Sequence, residues 1–389
     1  MLKLKSSDLH EGMKFSAPVF FDDGKNMFLS ERKPIKNFHL AVLKNWNIPF
    51  VITHGKEILC DDCFEELEEM EELEDLEEIG DENGTEAIDS EKNAFSNYVK
   101  SISNMEKVFK VYKAGQTFDK NLIEETSNQV LQLVESDSTY AISFVVSKKI
   151  NAMSYAIAAV NTSIISALMA MQLNFPQRNL LQLIVAALLH DLGMLTVPEF
   201  ILNKKGKLTL DEFDQLKMHP VKAARYVTDA LLFPRAIANI LLQHHERWDG
   251  NGYPEGRKEN MIDVSARLIS VADAFEAMIS EKTYRNSMIA YEAVKNLLSD
   301  KQKKFDPMVL KVFIKTIGVY PVGSFVLLND SSIAKVVEGD PDSPFLPSVK
   351  IINNKTANSS IIGQIIRLKD QKNFFIVRAL DPKEITTSA

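Results

Sequence analysis

Cysteine is almost missing from this chain: Cys60 and Cys63 are the only two in 389 residues. One pair cannot build a disulfide framework, which excludes a small bridge-stapled secreted fold and makes a reducing cytoplasm the natural setting. A single CxxC also falls short of a four-cysteine zinc site, and the acids between and after the thiols disfavour the thiolate that redox chemistry needs. The opening stretch "MLKLKSSDLHEGM" lacks the apolar run of a secretory signal. No repeat of fixed period is visible. Histidine is scarce as well, seven in all, so its placement is informative.

Charge is unevenly spread. The net charge is −8, which does not suit a polyanion, and DNA is not an expected partner. Residues 61–90 ("DDCFEELEEMEELEDLEEIGDENGTEAIDS") hold sixteen acids and no base. Setting them aside leaves the remainder at +8, compatible with a small anionic ligand. Hydrophobic residues make up 45%, enough for a sizeable core. Ala152 to Phe175 carries no charge and is long enough to cross a bilayer. Ser154, Asn161, Thr162, Ser163, Ser166 and Gln172 interrupt it, so it reads as a buried core helix rather than a membrane span.

The pattern divides the chain into five stretches. Residues 1–58 mix β-like runs ("KFSAPVFF", "IPFVIT") with one helix ("IKNFHLAVLKNW"), a small α/β module; "GKNMF" reads as turn-like. Residues 59–95 form an acidic linker, with apolar residues at three- and four-residue spacing, and residues 96–149 are connecting helices. Residues 150–318 form a helical domain. Residues 319–389 form a β-rich subdomain of short runs such as "SFVLLND", "SVKIINN" and "FFIVRAL". The fold class expected is mainly α, a helical bundle flanked by two small sheet-bearing pieces.

Four of the seven histidines fall between 190 and 245. They occur as His190-Asp191, His219-Pro220 and His244-His245, and Asp273 interrupts the apolar helix "LISVADAFEAMIS". His190 and Asp191 end the most apolar helix in the chain, where uncompensated polar groups are costly. Imidazoles and carboxylates without thiolates suit Fe, Mn or Zn. Two ions sharing a water would supply a nucleophile and a clamp for phosphoryl oxygens.

"LLHDLGMLTVPEFILNKKGKLTLDEFDQLKMHP" (188–220), "HHERWDGNGYP" (244–254) and "VADAFEAMISEKTYR" (271–285) resemble the HD-GYP domains, in order and with that family's spacing. HD-GYP domains are bacterial metal-dependent phosphodiesterases that cleave the second messenger cyclic di-GMP. The resemblance implies an HD-type helical bundle with one or two divalent transition-metal ions, Fe or Mn, and a cyclic dinucleotide as ligand. It implies His190, Asp191, His219, His244, His245 and Asp273 as metal ligands, with Asp191 bridging. It makes Asp191 and Tyr253 the catalytic residues. Gly252, Tyr253, Pro254, Lys282 and Arg285 become substrate contacts, the last two reaching phosphate. Other signalling proteins are expected partners of the N-terminal module or the acidic tract.

Two departures from the family pattern stand out. A further ligand histidine belongs on the helix before His190, but alignment puts Ala158 there, and no histidine occurs between 55 and 189. The lysine that usually follows the HD motif's glycine is Met194 here. One metal position keeps Asp191, His219, His244 and His245. The other keeps His190, Asp191 and Asp273 and lacks a neutral donor. Both a slowed enzyme and an inactive cyclic-dinucleotide receptor follow from these losses.

Overall fold

The computed structural model describes residues 2–6, 9–10, 12–13, 15–20, 27–29, 35, 40, 43 and 48–55. It then describes 84–386 apart from 148–149, 205, 281–286, 300–302, 355–361 and 372. The chain separates into two units, Met1–Ile79 and Gly80–Ala389.

In the first unit, β1 (Leu2–Lys5), β2 (Val19–Phe20), β3 (Met27–Leu29) and β4 (Phe50–Thr53) form an antiparallel sheet in the order β1-β4-β2-β3. Leu4 pairs with Val51 and Val19 with Thr53. Phe15, Val19, Leu29, Ile35, Leu43 and Val51 bury a small core beneath it. Met27 and Phe28 lie in β3, so "GKNMF" is partly strand rather than turn. Pairing with β2 supplies the backbone partners that a run this short cannot find alone. Most of the helix expected over 35–46 lies outside the described residues.

The second unit is helical to residue 317. Its helices are α1 (Gly84–Lys113), α2 (Lys120–Ser136), α3 (Ser138–Ser147), α4 (Ser154–Gln172) and α5 (Gln177–Leu189). Then come α6 (Glu199–Leu202), α7 (Leu210–Lys217), α8 (His219–Asp229) and α9 (Arg235–Gln243). The set closes with α10 (Val264–Ile279), α11 (Ala290–Leu298) and α12 (Pro307–Ile317). Side chains written into the sequence start several of them. Asp119, Asp263 and Asp306 each accept the amide two residues on, and Thr209 and Glu212 form a capping box on α7. α1 begins at Gly84, inside the stretch read as linker. It packs on α2 and α4, so tertiary contact supports a helix that its charge alone would not hold.

α4 is the axis of the bundle and packs on α5, α10 and α1. It is apolar on every side, as a helix surrounded by others must be. Of its most apolar window 78% is buried within the protein itself. α5 with the turn after it passes the same length and composition test, with 61% buried. Both behave as core helices here. Ile164, Ile165 and Met169 are fully buried, each contributing roughly 1.5–3 kcal/mol by leaving water. Two of the buried polar interruptions are satisfied inside: Tyr98 donates to Asn161 Oδ1 at 2.6 Å and Ser163 to the Val160 carbonyl at 2.7 Å, whereas the Thr162 and Ser166 hydroxyls have no partner among the described residues.

After Gly318, β5 (Phe325–Leu328), β6 (Ser332–Glu338), β7 (Ser348–Asn354), β8 (Ile365–Arg367) and β9 (Ile376–Leu380) form a second sheet. Its order is β8-β7-β6-β5-β9, antiparallel throughout. Val326 and Leu328 alternate inward on β5, the period-two pattern of a half-buried strand. A short helix, α13 (Pro382–Thr386), follows.

Candidate metal centre

Each site histidine sits at a helix boundary. His190 caps the C-terminus of α5 and Asp191 leads into the single-turn helix 192–196. His219 opens α8, with Pro220 in its first turn. His244 caps α9 and His245 follows. Asp273 lies within α10. Helix ends place side chains where three helices and a loop can meet, and they leave backbone carbonyls free to orient them.

Those carbonyls are used the same way three times. His190 Nδ1 bonds the Ala187 carbonyl at 2.7 Å, His219 Nδ1 that of Leu216 at 2.8 Å, and His244 Nδ1 that of Leu241 at 2.6 Å. Each ring donates Nδ1–H three residues back; in His219 and His244 this leaves Nε2 as the outward lone pair, while His190 Nε2 faces two carboxylates. This is the orientation a metal-ligating imidazole requires.

The Nε2 atoms converge. Ligand atoms of Asp191, His219, His244 and His245 all lie within 4.8 Å of one another. His219 Nε2 is 3.4 Å from His244 Nε2 and 3.5 Å from Asp191 Oδ1. Two imidazole nitrogens that close, with no proton donor between them, call for a cation. On the other side, His190 Nε2 is 3.6 Å from both Asp191 Oδ2 and Asp273 Oδ1. It is buried with no hydrogen-bond partner among the described residues. Asp191 therefore turns one oxygen to each side. The donor set of the first group, three imidazoles and a carboxylate, fits a divalent transition metal, while the second group offers one imidazole and two carboxylates.

The side chains alone set opposed protonation states. Burial, then the neighbouring His219, lowers His245 to about 4. Burial also lowers His219, and lowers His244 well below its ordinary value with His245 and His219 adding to the effect. These three rings are neutral at pH 7, with lone pairs ready. Burial pushes His190 down too, but the Asp191 and Asp273 carboxylates outweigh it and raise it to about 9. Tyr253 is raised by burial and by the same two carboxylates, so its hydroxyl keeps its proton.

The 244–254 loop folds back on the histidines. The Tyr253 ring lies 4.8 Å from that of His245, and the Tyr253 amide donates to the His245 carbonyl at 3.2 Å. Gly252 is required here: a Cβ would sit 2.5 Å from Glu246 Cα and collide with the Arg247 amide. Gly193 is required likewise, because a Cβ would overlap the His219 carbonyl. Arg247 and Asn251 both bond Asp249, and Pro254 follows Tyr253 through a cis peptide.

The structure thus brings together His190, Asp191, His219, His244, His245, Asp273 and Tyr253, with Gly252 and Pro254 in the adjoining loop. Lys282 and Arg285 lie outside the described residues. Ala158 is buried in α4, the helix packed against α5 and α10 that carry His190 and Asp273. Met194 lies in the 192–196 turn, its amide bonded to the Asp191 carbonyl at 2.9 Å. Sequence reasoning missed Gln243 and Glu246, buried polar side chains on either side of the histidine pair. A glutamate directly after two ligand-type histidines was the available signal.

Residues 121–309 match the HD domain family, and residues 325–388 match the KOW domain associated with HD domain. Residues 121–309, just under half of the chain, are thus matched as an HD domain. A cyclic di-GMP phosphodiesterase of Pseudomonas aeruginosa is 36% identical over 200 residues, which cover 51% of this chain and 48% of that protein. The chain thus aligns with about half the length of that relative. The cyclic di-GMP phosphodiesterase PdeB of Borreliella burgdorferi is 29% identical over 332 residues, 84% of this chain and 81% of that one. A solved HDG"Y"P protein from Bdellovibrio bacteriovorus shares the fold at a TM-score of 0.50 and 22% identity, covering 80% of this chain and 97% of its own.

Proposed function

We propose that the chain is a cytoplasmic, metal-dependent phosphodiesterase acting on cyclic di-GMP, slowed by an under-ligated second metal position. The observation that supports it is the meeting of Asp191, His219, His244 and His245 within 4.8 Å in an otherwise apolar bundle. The relatives named as cyclic di-GMP phosphodiesterases supply the substrate class. Fe or Mn held there would contribute Lewis acidity toward water and a phosphoryl oxygen. Asp191, with one oxygen toward each histidine group, orients both. Tyr253, protonated and tilted against His245, donates a hydrogen bond to a phosphoryl or leaving oxygen. Gly252 and Pro254 set the path of that loop. Lys282 and Arg285 are read as phosphate contacts, Arg285 the better suited to a bidentate grip. The N-terminal module and the acidic tract are read as contact segments for other signalling proteins.

A second reading, a cyclic-dinucleotide receptor without turnover, is favoured by Ala158 and Met194. Losing a donor of this kind costs roughly 3 kcal/mol of barrier, about a hundredfold in rate. The deciding experiment incubates purified protein with Mn(II) or Fe(II) and cyclic di-GMP and separates the products by chromatography. The His245→Ala variant and the Ala158→His, Met194→Lys double variant run alongside. Wild-type turnover that His245→Ala abolishes supports the enzyme. Turnover confined to the double variant supports the receptor. No metal in any of the proteins contradicts both.

A further inference from the structure

We propose that Glu246 is the positioning residue of the 250–254 loop: its buried carboxylate gathers the backbone amides after Pro254 and so seats Tyr253 on His245. Glu246 is 3% exposed, directly after the histidine pair. Its Oε1 accepts the Glu255 amide at 2.8 Å, and the Gly256 and Arg257 amides also act on the carboxylate. Three successive amides turned to one acid make a small nest, a common way to fix a loop around an anion.

The tether closes a ring. The chain leaves His245, runs to Tyr253, and returns at Glu255 to the side chain of Glu246. The Tyr253 amide completes it by bonding the His245 carbonyl. Inside this ring the backbone at Gly252 touches Glu246 Cα, so the two residues fix each other's position. Gln243 supports the other end: its Oε1 accepts the Asp263 amide at 2.7 Å, where α10 begins. The histidine pair lies between these two buried acceptors. Glu246 Oε2, by contrast, is buried with no hydrogen-bond partner among the described residues. Holding an acid there is costly, and an apolar side chain would fill the space more cheaply if packing were its only role. What the carboxylate adds is the loop's geometry. The loop tether stands on this geometry alone; its consequence for nucleotide rests on the proposed function.

The test compares full-length Glu246→Ala and Glu246→Gln with wild type, all loaded with Mn(II). It reads amide hydrogen exchange over 253–257, metal content, and KM and kcat with cyclic di-GMP. A glutamine oxygen can accept the same amide. The expected result for Glu246→Ala is exchange at least tenfold faster at 255–257, unchanged metal content and KM raised about tenfold with a smaller change in kcat. Glu246→Gln should stay within about threefold of wild type on every readout. Wild-type exchange at 255–257 in Glu246→Ala overturns the proposal, as does a fast-exchanging loop with KM unaltered. Should Glu246→Ala fail to fold, Glu246→Gln carries the test: slow exchange supports the tether and fast exchange refutes it. A wild-type protein inert toward cyclic di-GMP refutes the proposed function, while the exchange comparison still decides the tether.

Discussion

The two sides of the site share Asp191 and differ in everything else. On one side three neutral imidazoles and a carboxylate oxygen crowd together, held unprotonated by burial and, after it, by the neighbouring histidines. On the other a single imidazole faces two carboxylates, which outweigh its burial and favour its protonated form. The first side needs a cation to relieve it. On the second, the two carboxylates favour a proton on His190 when no metal is bound, and a metal held there would compete with that proton. One shared carboxylate can thus join unlike groups, three imidazoles on one side and an imidazole with a second carboxylate on the other.

The largest effect should come from breaking the crowded side. His245→Ala removes one of four donors, and Mn(II) affinity should fall by more than the roughly 10–100-fold seen when outer partners of a ligand are removed. Calorimetric titration checks it; unchanged affinity would place the metal elsewhere. Next is repair of the poorer side. Ala158→His should raise bound metal from one toward two ions per chain and turnover by about a hundredfold, read by elemental analysis and product chromatography.

Backbone contact between the sides gives the third prediction. Gly193→Ala forces a methyl into the His219 carbonyl, which should cost roughly 1–3 kcal/mol of stability and loosen metal binding, measured by denaturant melts with and without Mn(II). Fourth is the pH response of metal-stripped protein. Folding lowers His245 from 6.5 to about 4, so the unfolded chain holds the extra proton between those values. Stability present above pH 6.5 is therefore lost as pH falls toward 4, and His219 and His244 act in the same direction. His190 has the opposite sign: raised to about 9, its contribution is complete below pH 6.5 and fades as pH rises through 9. Tm of stripped protein should peak near pH 6.5 and fall more steeply on the acid side; a flat profile from 4.5 to 9 would deny the asymmetry. The smallest effect is remote. Glu106 Oε1 caps α4 by accepting the Met153 amide at 2.6 Å, so Glu106→Ala should cost about 1 kcal/mol with metal content unchanged.

Much of this was legible in the sequence because it rests on local signals. Helix starts at Asp119, Thr209, Asp263 and Asp306 follow from caps two or three residues long. The His-Asp and His-His pairs announce themselves by chemistry, and α4 by its lack of charge. The unread features depend on partners far along the chain. α1 reaches back to Gly84 because α2 and α4 support it. Asn161 is tolerated in the core because Tyr98, 63 residues away, bonds it. The partners of Glu246 are the amides of 255–257, which only the folded loop brings to it. The unequal protonation of the two sides is likewise a property of distances, which spacing does not encode.

The most direct measurement is metal stoichiometry by elemental analysis of protein purified without oxygen and equilibrated with limiting, then excess, Mn(II) or Fe(II). The account predicts one ion held tightly per chain, absent from His245→Ala, with a second appearing only weakly. Two ions bound with equal affinity, or one ion that survives loss of His245, would contradict it.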